Sequence, residues 1–220
     1  MKKSVYSLVL QDDVVAEVDR VAYRLGKNRS QLINQILAEY VSYVTPEQRM
    51  QEIFSRIGGL LSGAGALCPA TEQSDRMLGF RSPLVYKYNP TVRYTIELYS
   101  DQSQGLGELR ASMRTQNATL LEILSEFFFT WQRVEAELVG ETACHIELGR
   151  FSRILNPRWN HRGIGGMVSS NTIGDMIAAY VRVLDDSLKA YFALAEAPAK
   201  AAAQIFQRYR AYLAECSEIL

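Results

Sequence analysis

The spacing of apolar residues changes period twice within the first 44 positions. From Ser4 to Leu10 it alternates, with Tyr6, Leu8 and Leu10 on one side and Val5, Ser7 and Val9 on the other. A period of two predicts a strand. Asp12 and Asp13 follow, where carboxylates suit the positive end of a helix dipole, and Val14, Val18, Val21 and Leu25 then recur at helical spacing. Gly26 closes that helix, since a glycine takes up the left-handed cap cheaply. Asn28 and Gln31 have capping-box spacing and open a second helix, whose stripe is Leu32, Ile33, Ile36, Leu37, Tyr40 and Val44.

A strand and two helices in about 42 residues cannot bury their own apolar faces, and a single strand leaves both of its edges unpaired. The segment therefore calls for a partner that brings a second strand. With Lys2-Lys3 before the strand and Gly26-Lys27-Asn28-Arg29-Ser30 between the helices, it resembles the ribbon-helix-helix proteins of the Arc/MetJ/CopG class over roughly the first fifth of the chain. The resemblance implies two intertwined units, an antiparallel two-stranded ribbon in the DNA major groove and helix ends on the flanking phosphates. The matching base-reading positions are Val5, Ser7 and Val9, with Lys3 just before, and the matching phosphate positions are Asn28, Arg29 and Ser30. A cation and a hydroxyl beside free amides at a helix start form a good phosphate site.

Further on, Thr45-Pro46-Glu47-Gln48 predicts a helix start, and Ile53, Phe54, Ile57 and Leu60 give that helix an apolar face to about Leu61. Residues 63–73 read as a linker. The opening pattern then returns at a constant offset of 88 residues. Tyr94, Ile96 and Leu98 alternate with Arg93, Thr95 and Glu97, Leu106, Leu109 and Met113 repeat the first helix, and Leu120, Leu121, Leu124 and Phe128 repeat the second. The offset predicts a second, degenerate unit, in which Arg93, Thr95 and Glu97 take the base-reading positions. Pairing of the two strands within one chain, or between two copies, are both open. Residues 144–148 suggest a short strand, the stretch with Arg150, Arg153, Arg158, His161 and Arg162 a basic loop, and two helices fill about 171–195 and 198–217. The expected fold is mainly α with short β ribbons: tandem ribbon-helix-helix units plus a C-terminal helical extension. Its expected parts are 1–45, a helix and linker over 46–83, a second unit over 84–140, and loop and helices over 141–220.

The charge narrows this reading. Lys and Arg number 24 and Asp and Glu 24, so no general field draws the chain to nucleic acid and any DNA contact needs a local patch. Cys68, Cys144 and Cys216 form no CxxC and read as reduced thiols of a cytoplasmic protein, nucleoid-associated when DNA-bound. No apolar run is long enough to span a bilayer, and no secretory core opens the chain. No nucleophile elbow, phosphate loop or metal-ligand spacing is present, so neither an enzyme nor a cofactor or metal is expected. The resemblance then implies a sequence-specific DNA-binding protein, a transcriptional regulator or a plasmid or mobile-element control protein, acting as homodimer or pseudo-dimer on double-stranded DNA. The alternative is a protein-assembly module or antitoxin on the same scaffold without DNA contact, which the neutral charge, the apolar outward valines and Glu97 favour.

Overall fold

The computed structural model describes residues 7–41, 43–63, 67–71, 74–100, 105–156 and 168–216. The chain divides into two compact units, Met1–Arg49 and Met50–Leu220.

The first unit contains α1 (Asp12–Arg24) and α2 (Arg29–Tyr40). Between them Gly26 takes φ 63°, and the Lys27 amide returns to the Ala22 carbonyl at 2.9 Å, which closes α1 in a left-handed cap. Asn28 then starts α2 with a full capping box: its side chain accepts from the Gln31 amide at 2.9 Å, and the Gln31 side chain accepts from the Asn28 amide at 3.0 Å. Along α1 and α2 only Ala22, Leu32 and Ala38 are buried. Ser7–Leu10 pair with no strand and are exposed, and Ser4, Val5 and Tyr6 lie outside the described residues. A β-segment without a neighbour has no ladder to hold it.

α3 (Pro46–Ser62) begins at a second capping box, Thr45 with Gln48, and the boundary between the units falls in its first turn. Its buried positions are Met50, Ile53, Ile57 and Leu61; Phe54 and Leu60, expected in the core, are only partly buried.

The second unit is built on a six-stranded sheet. Its strands are β1 (Cys68–Pro69), β2 (Met77–Pro83), β3 (Thr91–Leu98), β4 (Gly107–Met113), β5 (Cys144–Glu147) and β6 (Arg150–Leu155), in the order β1-β2-β3-β4-β6-β5, all neighbours antiparallel. The helices α4 (Ala118–Val139), α5 (Ser170–Ala193) and α6 (Pro198–Glu215) complete it. One sheet face is apolar: Phe80, Val92, Tyr94, Ile96, Leu109, Ala111, Phe151 and Leu155 are all buried. Phe128 of α4 stacks on Phe151 at 5.1 Å between ring centroids, and the Tyr94 hydroxyl donates to Asp185 of α5 at 3.0 Å, so α4 and α5 cover that face. α6 packs on α4 and α5, and Arg56 of α3 pairs with Asp175 of α5 at 2.7 Å.

This sheet corrects the expected mainly-α fold with tandem ribbon-helix-helix units. Residues 93–98 are a strand, but 107–113, expected as a first helix, are a strand too. Gly107, Leu109, Ala111 and Met113 alternate with Glu108, Arg110 and Ser112, and the first set is buried while the second is not. Leu109 and Met113 satisfy both a helical and an alternating spacing, and the constant offset of 88 residues followed the wrong one. Moreover, β3 is paired with β2 on one edge and β4 on the other, so it has no edge left for residues 4–10, and the ribbon within one chain is ruled out. The span taken for a linker holds β1, with Leu67 and Ala70 buried, and Arg150 and Arg153 lie on β6 rather than on a loop.

Gly107 marks where β3 and β4 approach most closely: a Cβ there would sit 2.1 Å from the Glu97 carbonyl oxygen, which is backbone and cannot swing aside. Gly107→Ala is therefore expected to lower stability by about 3 kcal/mol, the upper range for forced overpacking, measured by urea denaturation. An unchanged midpoint would mean that the β3–β4 register is wrong.

Candidate nucleic-acid interface and a buried charge cluster

The candidate DNA-contacting residues fall on both units. Lys3 and Val5 lie outside the described residues. Ser7 and Val9 are exposed in an irregular segment. Asn28, Arg29 and Ser30 are exposed at the start of α2, as a phosphate site requires, but two of the three are engaged. The Asn28 side chain is used by the cap. Arg29 grips Asp19 of α1 with two hydrogen bonds, its Nε donating to Oδ1 at 2.6 Å and its Nη2 to Oδ2. That bond holds the Asp19 carboxyl below its ordinary range and raises Arg29 in turn. Arg29 can therefore reach a phosphate only by sharing or leaving Asp19, while Ser30 is exposed and has no hydrogen-bond partner among the described residues.

Arg93, Thr95 and Glu97 stand on the open, polar face of the sheet, the side away from the helices. The strand register sets that face in rows. One row reads Arg81, Arg93, Ser112, Arg150 and Glu147; the next reads Gly79, Thr95, Arg110, Ser152 and His145; a third reads Met77, Glu97, Glu108 and Ile154. Arg110 reaches across to the third row, pairing with Glu97 at 3.0 Å and with Glu108. His145 lies 3.2 Å from Glu147. Ser112, Ser152, Arg150 and these two line a shallow open concavity over β4, β6 and β5.

Sequence reasoning missed a polar cluster inside the core. Glu135 of α4 and Arg153 of β6 are 0% and 2% exposed, and their Oε1 and Nε are 3.4 Å apart. The same Glu135 oxygen accepts from the hydroxyls of Tyr180 at 2.8 Å and Tyr209 at 3.0 Å, and Trp131 Nε1 donates to the Tyr180 oxygen at 2.9 Å. The Arg153 guanidinium lies 4.5 Å from the Tyr180 ring centroid. One carboxylate thus ties together α4, α5, α6 and β6. Burial pushes the Glu135 carboxyl up, opposed by the Arg153 charge and by the hydroxyls that bond to it. Such a cluster costs desolvation of both charges, and it is stable only while each has the other. Two signals for it stand in the sequence: Glu135 falls on the apolar stripe of α4, and Arg153 falls between Phe151 and Leu155 on the inward side of β6. Arg158, His161 and Arg162, the rest of the expected basic loop, lie outside the described residues.

Among the described residues no group of three or more His, Cys, Asp or Glu could hold a metal ion, and no helix is long and apolar enough to cross a membrane. Comparison with protein-family models, with curated proteins and with solved structures finds no match.

Glu135→Ala leaves the Arg153 charge buried without its carboxylate and is expected to cost about 3–5 kcal/mol in urea denaturation. The double variant Glu135→Leu with Arg153→Met removes both charges and should recover most of that loss. Additive losses would show that the two charges do not depend on one another.

Burial also raises the phenols of Tyr94, Tyr180, Tyr209 and Tyr212 above their ordinary value. Unfolded phenols ionise near pH ~10. Because the folded forms keep their protons, the stability these groups contribute is intact below that pH and falls as pH rises beyond it. The tyrosinate absorbance of these four phenols should appear only together with loss of helical circular dichroism. Their ionisation with the helices intact would contradict the buried placement.

Proposed function

We propose that the chain is a sequence-specific DNA-binding regulator whose first unit works as a ribbon-helix-helix dimer with a second copy of itself. The observation that carries this reading is the exposure of that unit's apolar stripes. Leu25, Leu37, Tyr40, Val41 and Val44 are each more than half exposed, and Val14 and Ile36 nearly so. At about 1.5–3 kcal/mol per fully buried side chain, covering these seven with a partner's equivalents supplies on the order of 10 kcal/mol per copy, which the lone unit forgoes. A second copy also gives Ser7–Leu10, which are in no strand, a strand neighbour, and with it a ribbon whose outward positions are Val5, Ser7 and Val9. Ser7 can exchange hydrogen bonds with base edges, and the valines can pack on thymine methyl groups. The Ser30 hydroxyl and the amides at the start of α2 then suit the flanking phosphates.

A protein-assembly role without DNA contact is the second reading. The Arg29–Asp19 ion pair favours it, because the cation at the expected phosphate site is already satisfied.

Titration with a duplex selected from a random pool separates the two. Lys3→Ala should weaken binding to every sequence and reduce the salt slope by about one. Ser7→Ala should shift preference among sites by about 1 kcal/mol or more while leaving nonspecific affinity unchanged. If no duplex binds at low salt, or if neither substitution alters binding, the DNA reading fails and the assembly role stands.

A further inference from the structure

We infer that the free edge of β5 pairs with the same edge of a second copy, antiparallel and centred on Ile146, so that two six-stranded sheets join into one. The inference does not depend on the pairing proposed for the first unit.

The sheet ends in β1 on one side and β5 on the other. β1 is two residues long and contains Pro69, two ordinary devices that keep an edge from pairing further. β5 has neither a proline nor a lysine among its four residues. The Ile154 amide donates to the Ala143 carbonyl at 2.8 Å, which sets the alternation of the ladder between β5 and β6. The backbone groups of His145 and Glu147 then bond to β6, opposite Ser152 and Arg150, while the amides and carbonyls of Cys144 and Ile146 point away from it. Among the described residues no strand takes them. Such an edge is a template for another strand.

The side chains select the strand that fits. His145 and Glu147 stand on the open face, one residue to either side of Ile146, and are 72% and 59% exposed. A two-fold axis at Ile146 sets each His145 directly opposite the other copy's Glu147, where an imidazole N–H can donate to the carboxylate. An axis at His145 sets imidazole on imidazole, and an axis at Glu147 sets carboxylate on carboxylate, an arrangement that weakens a sheet. Of these three centres only Ile146 brings unlike groups together, so the edge is complementary to itself in one register. Arg150 is the cross-strand neighbour of Glu147 within the chain, so the carboxylate would stand between a guanidinium and an imidazole. On the other face Cys144 and Ile146 are half-buried against the core. The same axis puts Ile146 against its copy and Cys144 against Leu148, which is 67% exposed in the single chain.

Four residues of ladder make a small contact. It does not hold free chains together at micromolar concentration, and it forms where copies are crowded or already tethered to one another.

The test traps neighbours as disulfides in the full chain, with Cys68, Cys144 and Cys216 each replaced by Ser. Leu37→Glu and Tyr40→Glu are added, so that pairing of the first units has no part in the result. His145→Cys chains are mixed at submillimolar concentration with Glu147→Cys chains labelled with heavy nitrogen, oxidised in air, and the dimers are read by mass. Opposite partners lie ~4.5 Å apart between Cα atoms and diagonal ones ~7–8 Å, beyond a disulfide's reach, so the mixed dimer should exceed either like dimer by about tenfold or more. Ile146→Pro in both chains removes an edge amide that β6 does not use. It should bring the mixed dimer down to the level of the like ones with circular dichroism unchanged. Mixed and like dimers in statistical proportion would overturn the inference, and so would a mixed dimer that persists in the folded proline variant. Should that variant not fold, the ratio of mixed to like dimers decides by itself.

Discussion

An amphipathic face has to be covered, and the two units of this chain meet that demand in different ways. In the second unit the sheet turns Phe80, Tyr94, Ile96, Leu109 and Phe151 toward α4 and α5, and none of these side chains is more than 1% exposed. In the first unit the helices end with Leu25, Leu37, Tyr40 and Val44 in solvent. The local signals of that unit are nonetheless sound: the Asn28–Gln31 capping box forms, and Gly26 takes the left-handed turn. What it lacks is an opposing surface. Well-formed helices with an uncovered stripe describe half of a core, and this asymmetry between the units organises the functional account.

The core of the second unit is not uniformly apolar. Glu135 draws two tyrosine hydroxyls and the Arg153 guanidinium onto one oxygen, while its other oxygen makes no hydrogen bond. Hydrophobic residues of similar volume would often be at least as stable there. The cluster instead fixes geometry. Trp131, Glu135, Tyr180, Tyr209 and Arg153 fit together in one arrangement of α4, α5, α6 and β6, whereas leucines and valines would tolerate several. Tyr94, Asp185 and Lys189 form a second such tie between β3 and α5, with Lys189 donating to Asp185 at 2.7 Å.

Much of the helical content was legible in the sequence, because long amphipathic stripes with capping residues leave little choice. The helices expected over 46–61, from about Leu120 to Leu138, and in the C-terminal region are present as α3, α4, α5 and α6. The sheet was not legible, for identifiable reasons. β2 carries Gly79, Arg81 and Pro83 on its open side and is too short and too mixed to stand out. β4 has apolar residues that fit both periods, and only Gly105 and Gly107 argued against a helix. Which strand lies beside which depends on contacts between β4 and β6 across an intervening helix, and no local pattern encodes that. For the candidate site, the start of α2 was readable because a cap is a local device. The Arg29–Asp19 pair joins residues ten apart on two helices, and the row in which Arg93 stands is assembled from β2, β3, β4 and β6; neither is visible until the chain is folded.

The first unit therefore leaves an apolar surface uncovered, and the proposal that a second copy covers it carries the functional reading. A ribbon of the proposed kind would need two copies to associate. Sedimentation equilibrium of the full chain, beside a variant carrying Leu37→Glu and Tyr40→Glu, tests it most directly. The account predicts a dimer mass for the native chain at micromolar concentration, and a monomer mass for the variant with its second unit still folded. A native chain that stays monomeric at the highest concentrations reached, or a variant that dimerises equally well, would contradict it.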